Sequence, residues 1–311
     1  LKDHPDISPE TKSLVKALAA KMNYQPNLMA QGLRQSRSST IGVIVPEFVH
    51  FFFSTVLAGI EDAASERGYH VMMTRSQELL DREQKNLKAL WDSRVDGVLV
   101  SISKETTSYT HFEEMLDNGL PVVFFDRAPK DLECSHVVVD DHDGAYTAVD
   151  LLVRKGCKHI AHLAGPEALG ISDDRLEGYV DCLKKNDMVI DDSLIVRCEE
   201  GGYEESYELT KKLFLEHPEI DGIFANHDMS AFGAILALQD LNISVPDQVK
   251  VVGFSDWQLA QLIKPKLSTI SQPGYEMGRE AAEILIEEIE SEKCLGVRKE
   301  LKTSVIERQS T

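Results

Sequence analysis

The residues with chemical reach in this sequence sit just after its short apolar runs. Phe51-Phe52-Phe53 follows the run 41–46, Asp126-Arg127 follows 120–125, and Ser172 to Arg175 opens a helical stretch after 159–163. Asn226-His227-Asp228 follows 222–225, and Ser255-Asp256-Trp257 follows 250–254. Residues placed this way line the crevice at the carboxyl edge of a parallel sheet. Aromatic faces stack on a sugar or purine ring, while aspartate and arginine bind hydroxyls or amides in pairs. Each group also has a plainer explanation: Phe53 suits a core, Asp126-Arg127 a local ion pair, and Asp228 a helix cap. Their convergence on one cleft points to a small polar ligand.

Catalytic signatures are missing from the sequence. There is no G-x-S-x-G, no G-x-x-x-x-G-K-[ST], no H-E-x-x-H and no G-x-G-x-x-G. The stretch Asp140-Asp141-His142-Asp143-Gly144 hints at a calcium loop, but valine stands at 139, where the first ligand belongs. The ten histidines are scattered, none at metal spacing with acids. The five cysteines form no C-x-x-C pair, so buried free thiols are expected rather than a metal site or disulfides. The expectation is a binding protein, not an enzyme, with no cofactor and no metal.

The elements that must position these residues alternate along the chain. The continuous apolar run at 41–46 reads as a strand buried on both faces, and 69–74, 95–101, 120–125 and 137–139 are further strand candidates. Helical periodicity separates them: Phe53, Val56, Leu57, Ile60, Ala63 and Ala64 fall on one stripe, and further helices are expected near 81–92 and 109–118. The rhythm restarts after Asp143, with strands at 159–163, 194–197, 222–225 and 250–254 and helices near 144–155, 174–186, 203–216 and 229–241. A helix at 275–292 and a strand around 300–307 are left to cross between the halves. The fold class is therefore α/β: two doubly wound parallel-sheet subdomains around a ligand cleft. The first would take about 41–140 and 271–292, the second about 141–270 and 293–311.

Residues 1–40 differ from this body. Ser8, Pro9 and Glu10 punctuate a helix start, and Val15, Leu18, Ala19 and Met22 form one apolar stripe. Pro26 permits a second helix over Asn27 to Arg34, weakened by its length and by Gly32, and Ser36 to Thr40 reads as a linker. Net charge is −19 for all 311 residues, yet the first 40 carry six Lys/Arg against three acids, leaving −22 for the remainder. A basic arm on an acidic body suits contact with a polyanion at one end only. No apolar run is long enough to span a membrane, and no charged-then-apolar leader opens the chain, so a cytoplasmic location is expected.

The ordered motifs resemble those of the lactose-repressor/galactose-repressor (LacI/GalR) family of bacterial transcription regulators over essentially the whole length. They include Asn23-Tyr-Gln-Pro-Asn, Thr40-Ile-Gly-Val-Ile-Val-Pro, Phe125-Asp-Arg, Arg175-Leu-Glu-Gly-Tyr, Val251-Val-Gly-Phe and Thr269-Ile-Ser-Gln-Pro. The resemblance implies a DNA headpiece, a hinge helix and an effector-binding core that forms a homodimer. Leu33 matches the leucine that wedges between base steps in the minor groove, Arg34 the basic residue beside it, and Tyr24 and Asn27 backbone-contacting positions. Effector positions carry over to Phe52, Phe53, Asp126, Arg175, Tyr203, His227, Ser255 and Gln272. Ser255 stands where an aspartate or asparagine is common, and Asp141 replaces a frequent asparagine. The resemblance also places the family's helix-turn-helix before Leu1, so a truncated headpiece and poor operator binding by this chain alone are expected. The implied function is a ligand-responsive regulator, a repressor with a sugar effector and operator DNA as partners. A solute-binding receptor for sugar uptake is the rival, because it would share the two-domain body though not residues 6–40.

Overall fold

A computed structural model of the protein describes residues 6–22, 24, 37–129 and 132–311. The apolar runs form two six-stranded sheets. The first contains β1 (Thr40–Val45), β2 (His70–Arg75), β3 (Gly97–Val100), β4 (Val122–Phe125), β5 (Ser135–Val139) and β11 (Arg298–Leu301). Their order is β11-β5-β4-β3-β1-β2, and every pairing is parallel. The second contains β6 (Ile160–Ala164), β7 (Ile195–Arg197), β8 (Gly222–Ala225), β9 (Lys250–Phe254), β10 (Ser268–Ser271) and β12 (Ser304–Ile306). Its order is β12-β10-β9-β8-β6-β7, with only β12 antiparallel to its neighbour.

The central strands β1, β3, β4, β6 and β8 are buried on both faces, which is why they read as unbroken apolar runs. Side chains alternate across the pleat: Ile41, Val43 and Val45 enter one core and Ile44 the other. The first core lies under α2 (Phe51–Glu66) and α9 (Gly274–Ser291); the opposite face is covered by α3 (Leu80–Asp92) and α4 (Thr110–Asp117). The second sheet carries α5 (Asp141–Arg154) and α6 (Gly170–Lys185) on one face, α7 (Tyr203–Glu216) and α8 (Asp228–Asp240) on the other. Helices α2 and α9 approach closely through paired glycines. A Cβ on Gly59 would come 2.1 Å from the Tyr275 carbonyl oxygen, and one on Gly278 would come 2.0 Å from that of Val56.

Two expectations change. The strand foreseen around 300–307 is two strands in two sheets, so residues 293–311 do not belong wholly to the second subdomain: β11 completes the first. The buried Glu288 carboxylate accepts from Ser135 Oγ at 2.6 Å and from Leu295 N at 2.9 Å, turning the chain after α9 onto the β5 edge. Strand β10 was not foreseen, because Ser268-Thr-Ile-Ser holds a single strongly apolar residue. The helix α1 (Pro9–Lys21) is capped by Ser8 as expected, and its stripe buries nothing, as suits a helix too short to cover its own apolar face: Val15, Leu18 and Met22 are all exposed. The second helix foreseen at the front, with Asn27, Leu33 and Arg34, lies outside the described residues, while Tyr24 is exposed. Among the described residues no helix is long and apolar enough to cross a membrane.

Candidate binding cleft

Loops at the carboxyl ends of the two sheets meet. His50, at the end of the β1–α2 loop, stacks on Trp257 from the β9–β10 loop, centroids 5.9 Å apart and planes 18° apart. Lys104, after β3, donates to the Glu199 carbonyl oxygen at 3.3 Å, joining the subdomains again. Several of these loops hold non-glycine residues at positive φ: Gln77, Glu78, Asp126, Ser255 and Asp256. Arg94, Asp187, Asn242 and Glu292 share the left-handed conformation but follow helix ends, where it is an ordinary way to stop. Apart from Ser39, just before β1, the strain that is not helix termination thus clusters around the cleft, as it does at functional sites.

From the first subdomain, Asp126 follows β4 and is buried. Its Oδ2 accepts from Ser101 Oγ at 3.3 Å, and burial pushes its pKa up to about 6 against the opposing charge of Arg127. Arg127 Nη1 donates to both carboxylate oxygens of Glu78, at 2.9 and 2.8 Å, while its Nε is buried without a partner. The Arg127–Asp126 pairing is looser, 3.8 Å at its nearest. Behind these loops the buried Glu83 carboxylate accepts from Ser103 N at 2.7 Å and Thr106 Oγ1 at 2.8 Å, fixing the segment after β3. Phe52 and Phe53 are buried in the core beneath α2, with Phe53 edge-on to His50 at 5.9 Å.

From the second subdomain, Arg175 on α6 is 4% exposed and every nitrogen is engaged. Nε and Nη2 each lie 2.7 Å from Asp141 Oδ1, Nη1 donates to the Asn226 carbonyl oxygen at 2.6 Å, and the guanidinium sits 3.8 Å from the Phe254 ring centroid. Burial raises the Asp141 pKa, and the Arg175 charge counters it. His227 caps α8: its Nδ1 accepts from Ser230 N at 3.1 Å, which leaves the proton on Nε2. Burial, with the nearby His50 and Arg175, pushes the His227 pKa down to about 3; burial, with Arg127 and Arg175, takes His50 to about 4. Both histidines are therefore neutral at physiological pH.

Ser255 and Gln272 sit together, Oγ donating to Oε1 at 2.9 Å, and with Phe52 they line a recess of about 270 Å³ beside the β10–α9 junction. Tyr203 stays apart: it is 42% exposed at the start of α7, its hydroxyl engaged with Glu204. Asp228 is no cap. Its carboxylate accepts from Trp257 N and Thr269 Oγ1, both at 2.6 Å, and so holds the indole in place; burial raises its pKa to about 7. The structure thus groups Asp126, Arg175 and His227, places Phe53 against that group, seats Phe52, Ser255 and Gln272 in the adjoining recess, and leaves Tyr203 outside.

Sequence reasoning passed over His50 and Glu78, and it named Arg127, Asn226 and Trp257 without singling them out. His50 directly precedes the three phenylalanines after a strand, a signal that was there to read; Glu78 carries none. Five polar atoms of these loops and of the first turn of α6 are buried without a hydrogen-bond partner: His50 Nδ1, Arg127 Nε, Ser172 Oγ, Asn226 Oδ1 and Gln272 Nε2. Buried polar groups are almost always bonded, so such a concentration marks a place shaped for something else to complete. Among the described residues no cluster of three or more His, Cys, Asp or Glu could hold a metal ion.

Residues 38–305 match the family model described as periplasmic binding proteins and sugar binding domain of LacI family. The ribose operon repressor of Halalkalibacterium halodurans is 32% identical over 305 residues, covering 98% of this chain and 89% of that protein. The solved transcriptional regulator CelR–cellobiose complex aligns with a TM-score of 0.82 at 27% identity, over 99% of this chain and 92% of that one. A LacI family transcriptional regulator from Enterococcus faecium with bound ribose aligns with a TM-score of 0.77 at 27% identity, over 88% of this chain and 98% of that one.

Proposed function

The chain belongs to the LacI family of ligand-responsive transcription regulators, and from that premise we propose that its cleft takes a small carbohydrate whose binding governs repression of operator DNA. The observation that carries this reading is the set of five buried polar atoms without a hydrogen-bond partner on the cleft loops and the first turn of α6. Rigid, satisfied walls surround them, so a ligand gains hydrogen bonds without reorganising the site. Asp126, Arg127, His50 and Asn226 would meet ligand hydroxyls, and Trp257 offers a face for the ring. Phe52, Phe53, Arg175, His227, Ser255 and Gln272 shape the wall around them, with Tyr203 near the edge.

A ligand bridging both subdomains shifts the population toward one opening angle, and only a difference in affinity between the two states can do so. The regulator would act in the cytoplasm as a homodimer; Met72 and Met73, exposed on the edge strand β2, offer apolar surface for a second copy. DNA contact would fall to Tyr24, Asn27, Leu33 and Arg34, with Leu33 as the apolar wedge. Uptake of solute is the weaker reading, because the match to the ribose repressor reaches into the first forty residues. Titration calorimetry and thermal melts with a panel of aldoses and disaccharides test the proposal. A clear rise in melting temperature with at least one sugar is expected; no response to any carbohydrate overturns it.

A further inference from the structure

We infer that the cleft selects an uncharged polyhydroxy ligand and excludes phosphate esters and uronates of the same sugar. The inference deepens the carbohydrate reading above and rests on it.

Charge is the first ground. The two arginines of the cleft are answered within the protein. Glu78 holds Arg127 through both carboxylate oxygens, and Asp141 holds Arg175 through two nitrogens. A third carboxylate, Asp126, is buried between these pairs and feels the charges of Arg127, Asp141 and Arg175. Lys104 at the rim donates to the Glu199 carbonyl oxygen. The histidines facing the same space, His50 and His227, are neutral. A phosphate entering here would leave water for three carboxylates, and the one cation not paired with a carboxylate, Lys104, is held at the rim by a carbonyl oxygen; burial makes that cost severe.

Hydrogen-bond polarity is the second ground, and it is independent. The unpartnered atoms are of mixed sense: Arg127 Nε and Gln272 Nε2 donate, Asn226 Oδ1 accepts, and Ser172 Oγ does either. A hydroxyl both donates and accepts, so a polyol can complete all of them. A phosphate or carboxylate oxygen only accepts and would leave Asn226 Oδ1 buried against like charge. Gly165 lets Asn226 and Ser172 pack this closely: a Cβ there would come 2.4 Å from both Asn226 Nδ2 and Ser172 Oγ.

The test is calorimetric titration of the full chain with ribose, xylose, glucose and cellobiose, run beside ribose 5-phosphate, glucose 6-phosphate and glucuronate. At least one uncharged sugar is expected to bind, and each charged derivative to bind at least about ten-fold more weakly than its parent. A charged derivative that equals or exceeds its parent overturns this inference while leaving the carbohydrate reading intact. Silence from every sugar overturns that reading, and this inference with it. Glu78→Gln, checked for an intact melt, leaves the Arg127 charge answered only by the looser pairing with Asp126 and should narrow the gap between ribose 5-phosphate and ribose by about ten-fold. Asp126→Asn removes a carboxylate without touching the Glu78 loop and should narrow it likewise. Unchanged discrimination in folded protein of either variant means that these carboxylates do not exclude the anion.

Discussion

Each subdomain brings one arginine to the cleft, and the two are held differently. Arg175 of the second subdomain is wholly committed: two nitrogens to Asp141, one to the Asn226 carbonyl, and its face on Phe254. Arg127 of the first is clamped at Nη1 by Glu78 but keeps Nε unpartnered. The first is a strut that fixes the wall from which Asn226 projects; the second has a donor in reserve. Residue type does not separate a ligand contact from a strut. Counting which donors are already used does.

Removing the strut has the largest expected effect. Arg175→Ala strands the Asp141 carboxylate in the interior and should cost about 3–5 kcal/mol in denaturant unfolding, with loss of sugar binding. Because burial already raises the Asp141 pKa, the loss should shrink as the pH falls and that carboxyl takes a proton. A cost below about 1 kcal/mol, the range of surface pairs, would erase the distinction between the arginines.

Arg127→Ala should invert the pattern. Its salt bridge to Glu78 is partly exposed, so stability should fall by about 1 kcal/mol or less, while sugar affinity falls steeply. Equal losses of stability in the two alanine variants would show that Arg127 is a strut as well.

A smaller effect is expected across the seam. Trp257→Phe keeps an aromatic face but changes the stack on His50; about 0.5–1.5 kcal/mol is at stake, measured as a modest fall in melting temperature and weaker sugar binding. Unaltered affinity would remove Trp257 from the ligand wall.

The subtlest prediction concerns pH. The His50 pKa lies at about 4 in the folded chain against 6.5 for the free group. Between those values the unfolded chain binds a proton that the folded one refuses, so stability is full above 6.5 and falls as the pH drops toward 4. His50→Gln should make that part of the melting profile shallower, the remaining slope belonging to the other buried histidines such as His227; a slope identical to the parent's from pH 7 to 4.5 counts against a desolvated His50.

Much of the fold was legible before the structure. Continuous apolar runs foretold the central strands, because a strand buried on both faces has no polar side to show. Helical stripes such as Val56, Leu57, Ile60 and Ala63 foretold the covering helices. What failed lay near one end of each sheet. Strand β10, between β9 and β12, holds a single strongly apolar residue, and the split between β11 and β12 depends on pairing partners distant in sequence. Of the cleft, Asp126, Arg175 and His227 were found because groups just after strands face the crevice. Glu78 was not, since nothing local distinguishes a loop glutamate that meets an arginine 49 residues away.

By itself the sequence determined the α/β alternation, its restart near residue 143, the basic front on an acidic body, and the chemical types around the cleft. These are local or compositional properties, set by side-chain period and charge. The tertiary structure alone decided which polar atoms are spent and which remain open. It turned Asp228 from a cap into the support of Trp257, committed Arg175 to Asp141, and left Arg127 Nε and Asn226 Oδ1 without partners. Whether a group is satisfied depends on atoms brought together across two sheets, and no window along the chain contains them.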